Sequence, residues 1–411
     1  MDPTSTAIGT WSGGRYMRFG EPLSEERLRE LVRPGAGVDT VITADAYGAG
    51  AADELLGQAL MGVDRDSYCL VGAIGHDIYA GERDGAKGYP RFTDPELRGE
   101  KDYGEYIRMA TERSLQRCGV ERFDLLLLHN PDRTGYCSPA VWEGMAAVRE
   151  AGLTRLLGVA PGPANGFTVD VIDCIERFGE LIDWAMIIFG PMEPWPGELV
   201  LGAARANDVS LIARVVDYGG LFHDDVLPGH RFAEHDHRKF RPDGWIEAGR
   251  ERLDEMRPYA RAHGLTMLQL ACAWDLAHTP VRCVAPTLIQ EHGEEHGAGG
   301  GLGARPVEDK RAELAAVAAL AGVSRVGAGS VSRGADGSGA EGDSGSPLSA
   351  EEVAQIRRIG ENTGCMALKG ANPAHEGPPL PDRWELDSGL ADTAGRWGID
   401  PARDLALGHA G

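Results

Sequence analysis

Asp124-Leu125-Leu126-Leu127-Leu128 decides the fold. Its leucines are apolar on both faces, as a strand inside a barrel must be. Outward from this run lie seven more short apolar stretches: Ala7–Thr10, Val38–Thr43, Tyr68–Ala73, Arg155–Val159, Trp184–Phe189, Ser210–Val215 and Val281–Ala285. Helical patterns separate them. Ser24 caps an acidic-start helix, Tyr103–Cys118 stops at Gly119, Ser138–Ala151 stops at Gly152, and Trp245–Ala262 is followed by Thr266–His278 just before Pro280. Strands alternating with helices predict βα units and a parallel sheet, and eight such strands close. The expected fold class is α/β, a (β/α)8 TIM barrel with loop insertions and a C-terminal extension.

The chain has 411 residues, long for one barrel, and 42% of them are hydrophobic, enough to bury a large core. We expect the barrel over residues 1–320, a Gly/Ser-rich disordered linker over 321–347, and a helical extension over 348–411 packed on the barrel, with a helix at Ala350–Ile359. Gly81–Lys101 reads as a charged insertion after the third strand, and Gly293–Gly303 as a mobile Gly-rich loop. With 63 acidic against 41 basic residues the net charge is -22, which repels nucleic-acid phosphates and anionic lipid. No nucleic-acid or membrane partner is expected, and a small molecule is. Cys69, Cys118, Cys137, Cys174, Cys272, Cys283 and Cys365 form no Cys-x-x-Cys pair, and several sit in apolar segments. Such free buried thiols, without a visible signal peptide in Met1–Gly14 or a bilayer-length apolar run, predict a cytoplasmic protein, a monomer or a small homo-oligomer.

Several motifs carry a family resemblance. Thr43-Ala-Asp-Ala-Tyr47-Gly48, followed by Asp53-Glu-Leu-Leu-Gly57-Gln-Ala-Leu60, resembles the signature around the catalytic tyrosine of the aldo-keto reductases. Gly9-Thr10-Trp11 resembles the first barrel strand of that family, Phe123 to Asp132 the strand that carries its histidine, and Gly152 to Val159 the next strand. The resemblance implies a barrel that reduces carbonyls with NADPH: a tyrosine donates the proton, a lysine and an aspartate lower its pKa, and a histidine orients the carbonyl. Tyr47 and His129 stand in the matching places, but the aspartate position reads Ile42 and the lysine position Ala73. An unassisted phenol titrates near 10, so Tyr47 without that cation is expected to be a poor proton relay. Lys87, in the insertion, is a cation whose place above the barrel could return a charge to the site.

The nicotinamide contacts are depleted as well. Ala160-Pro161 replace the Ser-Asn pair of the family, and Met186 its glutamine. Pro286-Thr287 stand where a Gly-containing turn cradles phosphate. Arg305 is kept as a weak nucleotide contact, whereas Asp309 and Glu313 replace Gln and Asn and would repel phosphate. No cofactor is therefore expected, with NADPH as the alternative.

Chemistry on such a barrel gathers at the C-terminal ends of the strands. Those ends supply Tyr47, His129, Asp217 and Glu193 as catalytic candidates, and His76, Asn130, Asp132, Arg214 and His223 as substrate-binding ones. The leading expectation is redox-neutral acid–base chemistry (elimination, isomerisation or hydrolysis) on a polar hydroxylated or carbonyl compound. His129 would act near neutral pH, with Asp217 or Glu193 as its carboxylate partner. The alternatives are an NADPH-dependent reductase and a non-catalytic binding barrel. No ligand spacing is diagnostic of a metal; a Zn or Mn site would draw on His76, His129, Asp217 and His223. His235 and His237 read as exposed-loop residues, and Cys365-Met366 with Lys369 as a tail segment able to fold over the mouth.

Overall fold

Eight strands form one parallel sheet in chain order: β1 (Ala7–Gly9), β2 (Thr40–Ile42), β3 (Cys69–Ile74), β4 (Phe123–His129), β5 (Thr154–Ala160), β6 (Trp184–Ile188), β7 (Ser210–Arg214) and β8 (Val281–Ala285). A parallel bridge between Thr6 and Val284 brings the last strand back to the first. The computed structural model describes residues 1–83, 88–162, 167–241, 243–292, 304–323, 346–360 and 388–399. Lys87, the Gly293–Gly303 loop, most of the predicted linker and the Cys365 segment lie outside the described residues.

The tetraleucine run shows why both faces of β4 are apolar. Leu125 and Leu127 pack inside the barrel with Val71, Cys69, Met186, Ile212 and Cys283. Leu126 and Leu128 point outward into the layer between sheet and helices. Period-2 alternation thus serves two cores at once, and every residue of β4 is buried.

The outer layer consists of α1 (Glu25–Val32), α2 (Ala51–Leu60), α3 (Tyr103–Cys118), the short α4 (Arg133–Cys137), α5 (Pro139–Glu150), α6 (Thr168–Phe178), α7 (Val200–Ala206), α8 (Trp245–Ala262), α9 (Met267–Leu276) and α10 (Val307–Val323). The capping signals behave as their chemistry demands. Ser24 accepts a hydrogen bond from the Arg27 N–H at 3.3 Å, Thr266 and Gln269 form a reciprocal capping box, and Gly119 ends α3 at φ +67°. Two further helices, α11 (Ala350–Gly360) and α12 (Ser388–Arg396), lie against α8 and α6. Trp274 donates to the Val353 carbonyl at 2.9 Å, and Thr393 to Asp173 at 2.9 Å.

The insertion after β3 is pinned down over its described residues. Asp77 accepts from the Tyr79 and Ala80 N–H groups and pairs with Arg98, which lies over the Tyr106 ring. Gly75 permits the start of this loop to cross β4, since a Cβ there would stand 2.2 Å from the His129 carbonyl. The insertion thereby delivers His76 to the same rim as His129.

Candidate active site

A cavity of roughly 600 Å³ opens at the C-terminal ends of the strands, a size suited to a small molecule. Tyr47, in the turn after β2, and His129, the last residue of β4, face each other across it with ring centroids 5.5 Å apart and planes at 86°. Trp11 closes on Tyr47 at 6.4 Å, and His76 on His129 at 5.4 Å. His76 is held from three sides. Its Nδ1 lies 2.9 Å from the Tyr89 carbonyl oxygen and 2.8 Å from Arg91 Nη1, and its Nε2 lies 3.1 Å from the Asn130 amide nitrogen. Asn130 takes up the left-handed φ of +48°, which its short side chain tolerates, and its N–H donates to the Ala160 carbonyl.

Burial sets the protonation states here. The Tyr47 phenol is pushed up to about 12, mainly by loss of solvent, with the Arg214 charge pulling the other way. Burial pushes the His129 imidazole well below its ordinary range, helped by the charges of His76, Arg91 and Arg214. His76 is pushed down to about 4 by burial and Arg91. At neutral pH the pair is a neutral phenol and a neutral imidazole, and His129 Nδ1 is buried without a hydrogen-bond partner. This corrects the expectation that His129 exchanges protons near pH 7. What the pair can do is aim hydrogen bonds at one oxygen.

Other candidates are reassigned by their partners. Asp217 lines the cavity, but its Oδ1 accepts from the Thr287 N–H at 2.7 Å and its Oδ2 from the Gly220 N–H at 2.9 Å, so it ties the loop after β7 to that after β8 instead of pairing with His129. Glu193 is buried beyond the cavity lining. Asp132 caps α4 through the Gly135 N–H and accepts from Thr93 Oγ1. His223 is buried behind the wall, its Nε2 2.8 Å from the Thr287 carbonyl oxygen. Arg305 pairs with Glu313 and donates to the His223 carbonyl, away from the cavity. Glu313 thus neutralises the very arginine that the resemblance reserved for the nucleotide. Among the described residues no group of three or more His, Cys, Asp or Glu side chains could hold a metal ion, and His76, His129, Asp217 and His223 do not form one.

Arg214, at the end of β7, does reach the site. Its Nη2 donates to the carbonyls of Pro161 (3.0 Å) and Gly162 (2.5 Å), beyond the end of β5. Sequence reasoning missed the cavity-lining His237, Arg238 and Arg241 of the segment after β7. His237, read as an exposed-loop residue, lines the cavity with Arg238 and Arg241. Arg238 is fully buried between Asp236 and Glu291. The Arg241 guanidinium lies over the Tyr218 and Trp245 rings, and its Nη1 is buried without a hydrogen-bond partner. The only sequence signal is the basic run His235-Asp-His-Arg-Lys-Phe-Arg241, in which no local pattern marks Asp236 and Arg238 as buried. Among the described residues, six arginines and three histidines line the cavity against one carboxylate, in a chain of net charge -22.

The aldo/keto reductase family model matches residues 6–293. The chain belongs to this family. Among curated relatives, the D-threo-aldose 1-dehydrogenase of Pseudomonas sp. is 26% identical over 197 residues, 45% of this chain and 57% of that protein. A probable voltage-gated potassium channel subunit beta of Arabidopsis thaliana is 22% identical over 69% of this chain and 84% of its own length. Among solved structures, a glycerol dehydrogenase of Gluconobacter oxydans superposes with a TM-score of 0.59 at 19% identity, over 92% of this chain and 94% of that one. An aldo-keto reductase from Klebsiella pneumoniae, solved in complex with NADPH, gives 0.52 at 19%, over 87% and 91%.

Against that family this aldo/keto reductase chain departs in space as well as in sequence. Ile42, Ala73, Ala160, Pro161 and Met186 all line the cavity. Asp217 already occupies two backbone N–H groups at the ends of β7 and β8, and Ser12 Oγ occupies a third, that of Leu288 at 3.1 Å. No helix among the described residues is long and apolar enough to cross a membrane.

Proposed function

We propose that the chain is an NADP(H)-linked oxidoreductase that interconverts a small carbonyl compound and its alcohol at the inner end of the cavity. The observation that carries this reading is the pair Tyr47 and His129, ring against ring at the ends of β2 and β4, in a member of this family. The residues present fit the anionic part of a dinucleotide. Arg241 offers a buried guanidinium nitrogen without a partner, and the exposed Arg18 lies on the same rim. Arg18 and Arg241 would hold the phosphates, in place of the backbone N–H groups taken by Asp217. The dinucleotide supplies or accepts the hydride.

Tyr47 and neutral His129 both donate toward the substrate oxygen and favour the negative charge that develops on it. Tyr47 then gives that oxygen its proton. With the phenol pushed up to about 12, the proton stays on Tyr47 at neutral pH, which suits reduction. Alcohol oxidation needs the phenolate as base, so its rate should climb with pH beyond the ordinary tyrosine range near 10.

A second reading, redox-neutral chemistry at the same pair, draws on the apolar Ile42 and Ala73. It requires a base, and His129 is a weak one. Titrating the protein with NADPH and following nicotinamide fluorescence separates the two. Saturable binding and carbonyl-dependent NADPH consumption support the reductase. A folded protein that leaves the fluorescence unchanged up to millimolar concentration overturns it.

A further inference from the structure

Arg214, half-buried in the cavity wall, has no ion-pair partner among the described residues. Buried cations in proteins are normally paired with a carboxylate, because an isolated charge in a low-dielectric wall is costly. The fully buried Arg238 of the cavity obeys this rule, sitting between Asp236 and Glu291. Arg214 has only the two backbone carbonyls of Pro161 and Gly162, both on Nη2, and among the described residues neither Nε nor Nη1 has a partner and no carboxylate lies within ion-pair distance. The lining it shares combines the apolar Ala73, Ala160 and Met186 with the polar Tyr47, His129 and Asn130.

Its position relative to the reacting pair follows from the strand register. Ala160 stands opposite His129, and Pro161, whose carbonyl takes one Arg214 bond, is the next residue. The guanidinium therefore crosses from β7 over the end of β6 to within a residue of the His129 level. An oxygen held between Tyr47 and His129 would have this guanidinium beside it.

We infer that Arg214 is the receptor for a carboxylate carried next to the reacting carbon, so that the compound turned over is a 2-oxo acid or the matching 2-hydroxy acid. The reaction part of this inference rests on the reductase reading above; the anion site does not. One guanidinium without an ion-pair partner balances one negative charge, which fits a carboxylate better than a doubly charged phosphate. The cationic lining of the whole cavity draws such a ligand in, against the acidic exterior.

The test compares oxamate, a 2-oxo acid mimic, with its neutral isostere oxamide. Binding is measured by calorimetry to the wild type, Arg214→Gln and Arg214→Lys, each checked for folding by circular dichroism. Oxamate should bind the wild type about 30-fold or more tighter than oxamide, the range typical of losing one partner of a buried charge pair. Arg214→Gln should erase that preference, and Arg214→Lys should keep part of it. With NADPH, 2-oxobutyrate should exceed 2-butanone in kcat/KM by a similar factor, and the ratio should collapse in Arg214→Gln. Folded Arg214→Gln protein that prefers oxamate as strongly as the wild type overturns the proposal. So does inorganic phosphate that binds the wild type more tightly than oxamate and loses that affinity in Arg214→Gln. Arg214-dependent oxamate binding without NADPH turnover of any 2-oxo acid upholds the anion site and overturns the reductase reading instead.

Discussion

Returning a cation to the Tyr47 phenol by Ala73→Lys tests the electrostatic account of this site directly. Ala73 sits in β3 opposite Leu127 and lines the cavity, so a longer side chain at this position extends into open volume. A charge about 4 Å from the phenolate, at an effective dielectric of about 20, is worth about 4 kcal/mol. At about 1.4 kcal/mol per pH unit this brings the phenol from about 12 down to about 9. The new ammonium shares the cavity with Arg214 and is itself inclined to lose its proton, so Ala73→Arg, which stays charged, accompanies it as a control. Ionisation is read by ultraviolet difference absorbance of tyrosinate, with Tyr47→Phe as the blank among ten tyrosines. The pH at which alcohol oxidation reaches half its maximum should fall by the same interval. Folded Ala73→Arg protein whose Tyr47 signal still appears only near 12 would refute the reasoning.

Three further outcomes follow from the same structure. Tyr47→Phe and His129→Ala should each lower NADPH-dependent turnover about 100-fold or more while leaving the melting temperature near that of the wild type, and full activity in either would remove it from the reacting pair. Asp275, fully buried in α9 with neither carboxyl oxygen hydrogen-bonded, has its pKa raised well above the carboxylate range by burial. A folded pKa above the unfolded value means stability is lost as pH rises between the two. Asp275→Asn should therefore gain on the wild type by about 1.4 kcal/mol per pH unit from about pH 4 upward, as measured by guanidinium unfolding, and a pH-independent difference counts against it. Arg238→Met leaves Asp236 and Glu291 buried without their cation and should cost about 3–5 kcal/mol in the same assay, a loss below about 1 being incompatible with a buried network.

The barrel was readable in the sequence because its signal is local and repeated. Each strand is a short run of residues that must satisfy two cores, and Leu125 to Leu128 can do so only by being apolar at every position. Strand limits moved by a residue or two where a turn competed. The apolar pattern starts the second strand at Val38, but Val38 pairs with Gly35 in the turn before β2. Helix starts and stops fell where Ser24, Thr266 and Gly119 put them, because caps act on the adjacent backbone.

The site divides differently, and the division has a physical cause. Losses are visible in a sequence: Ile42 and Ala73 stand at motif positions, and an absent lysine needs no tertiary information to be noticed. Gains are not visible, since a replacement cation can arrive from any loop the barrel brings to its mouth. Arg241 comes from the segment after β7, and only the fold reveals that its guanidinium rests on Tyr218 and Trp245. Asp217 shows the same limit from the other side. As a sequence residue at a strand end it reads as a catalytic carboxylate, yet its oxygens saturate the Thr287 and Gly220 N–H groups. An internal carboxylate there stands where those amides could have held an incoming anion, and it leaves anion binding to side chains. Guanidinium groups reach farther than backbone amides but must be desolvated one by one. The distribution of unpaired arginines, Arg214 within and Arg241 at the rim, therefore governs which anions this cavity admits.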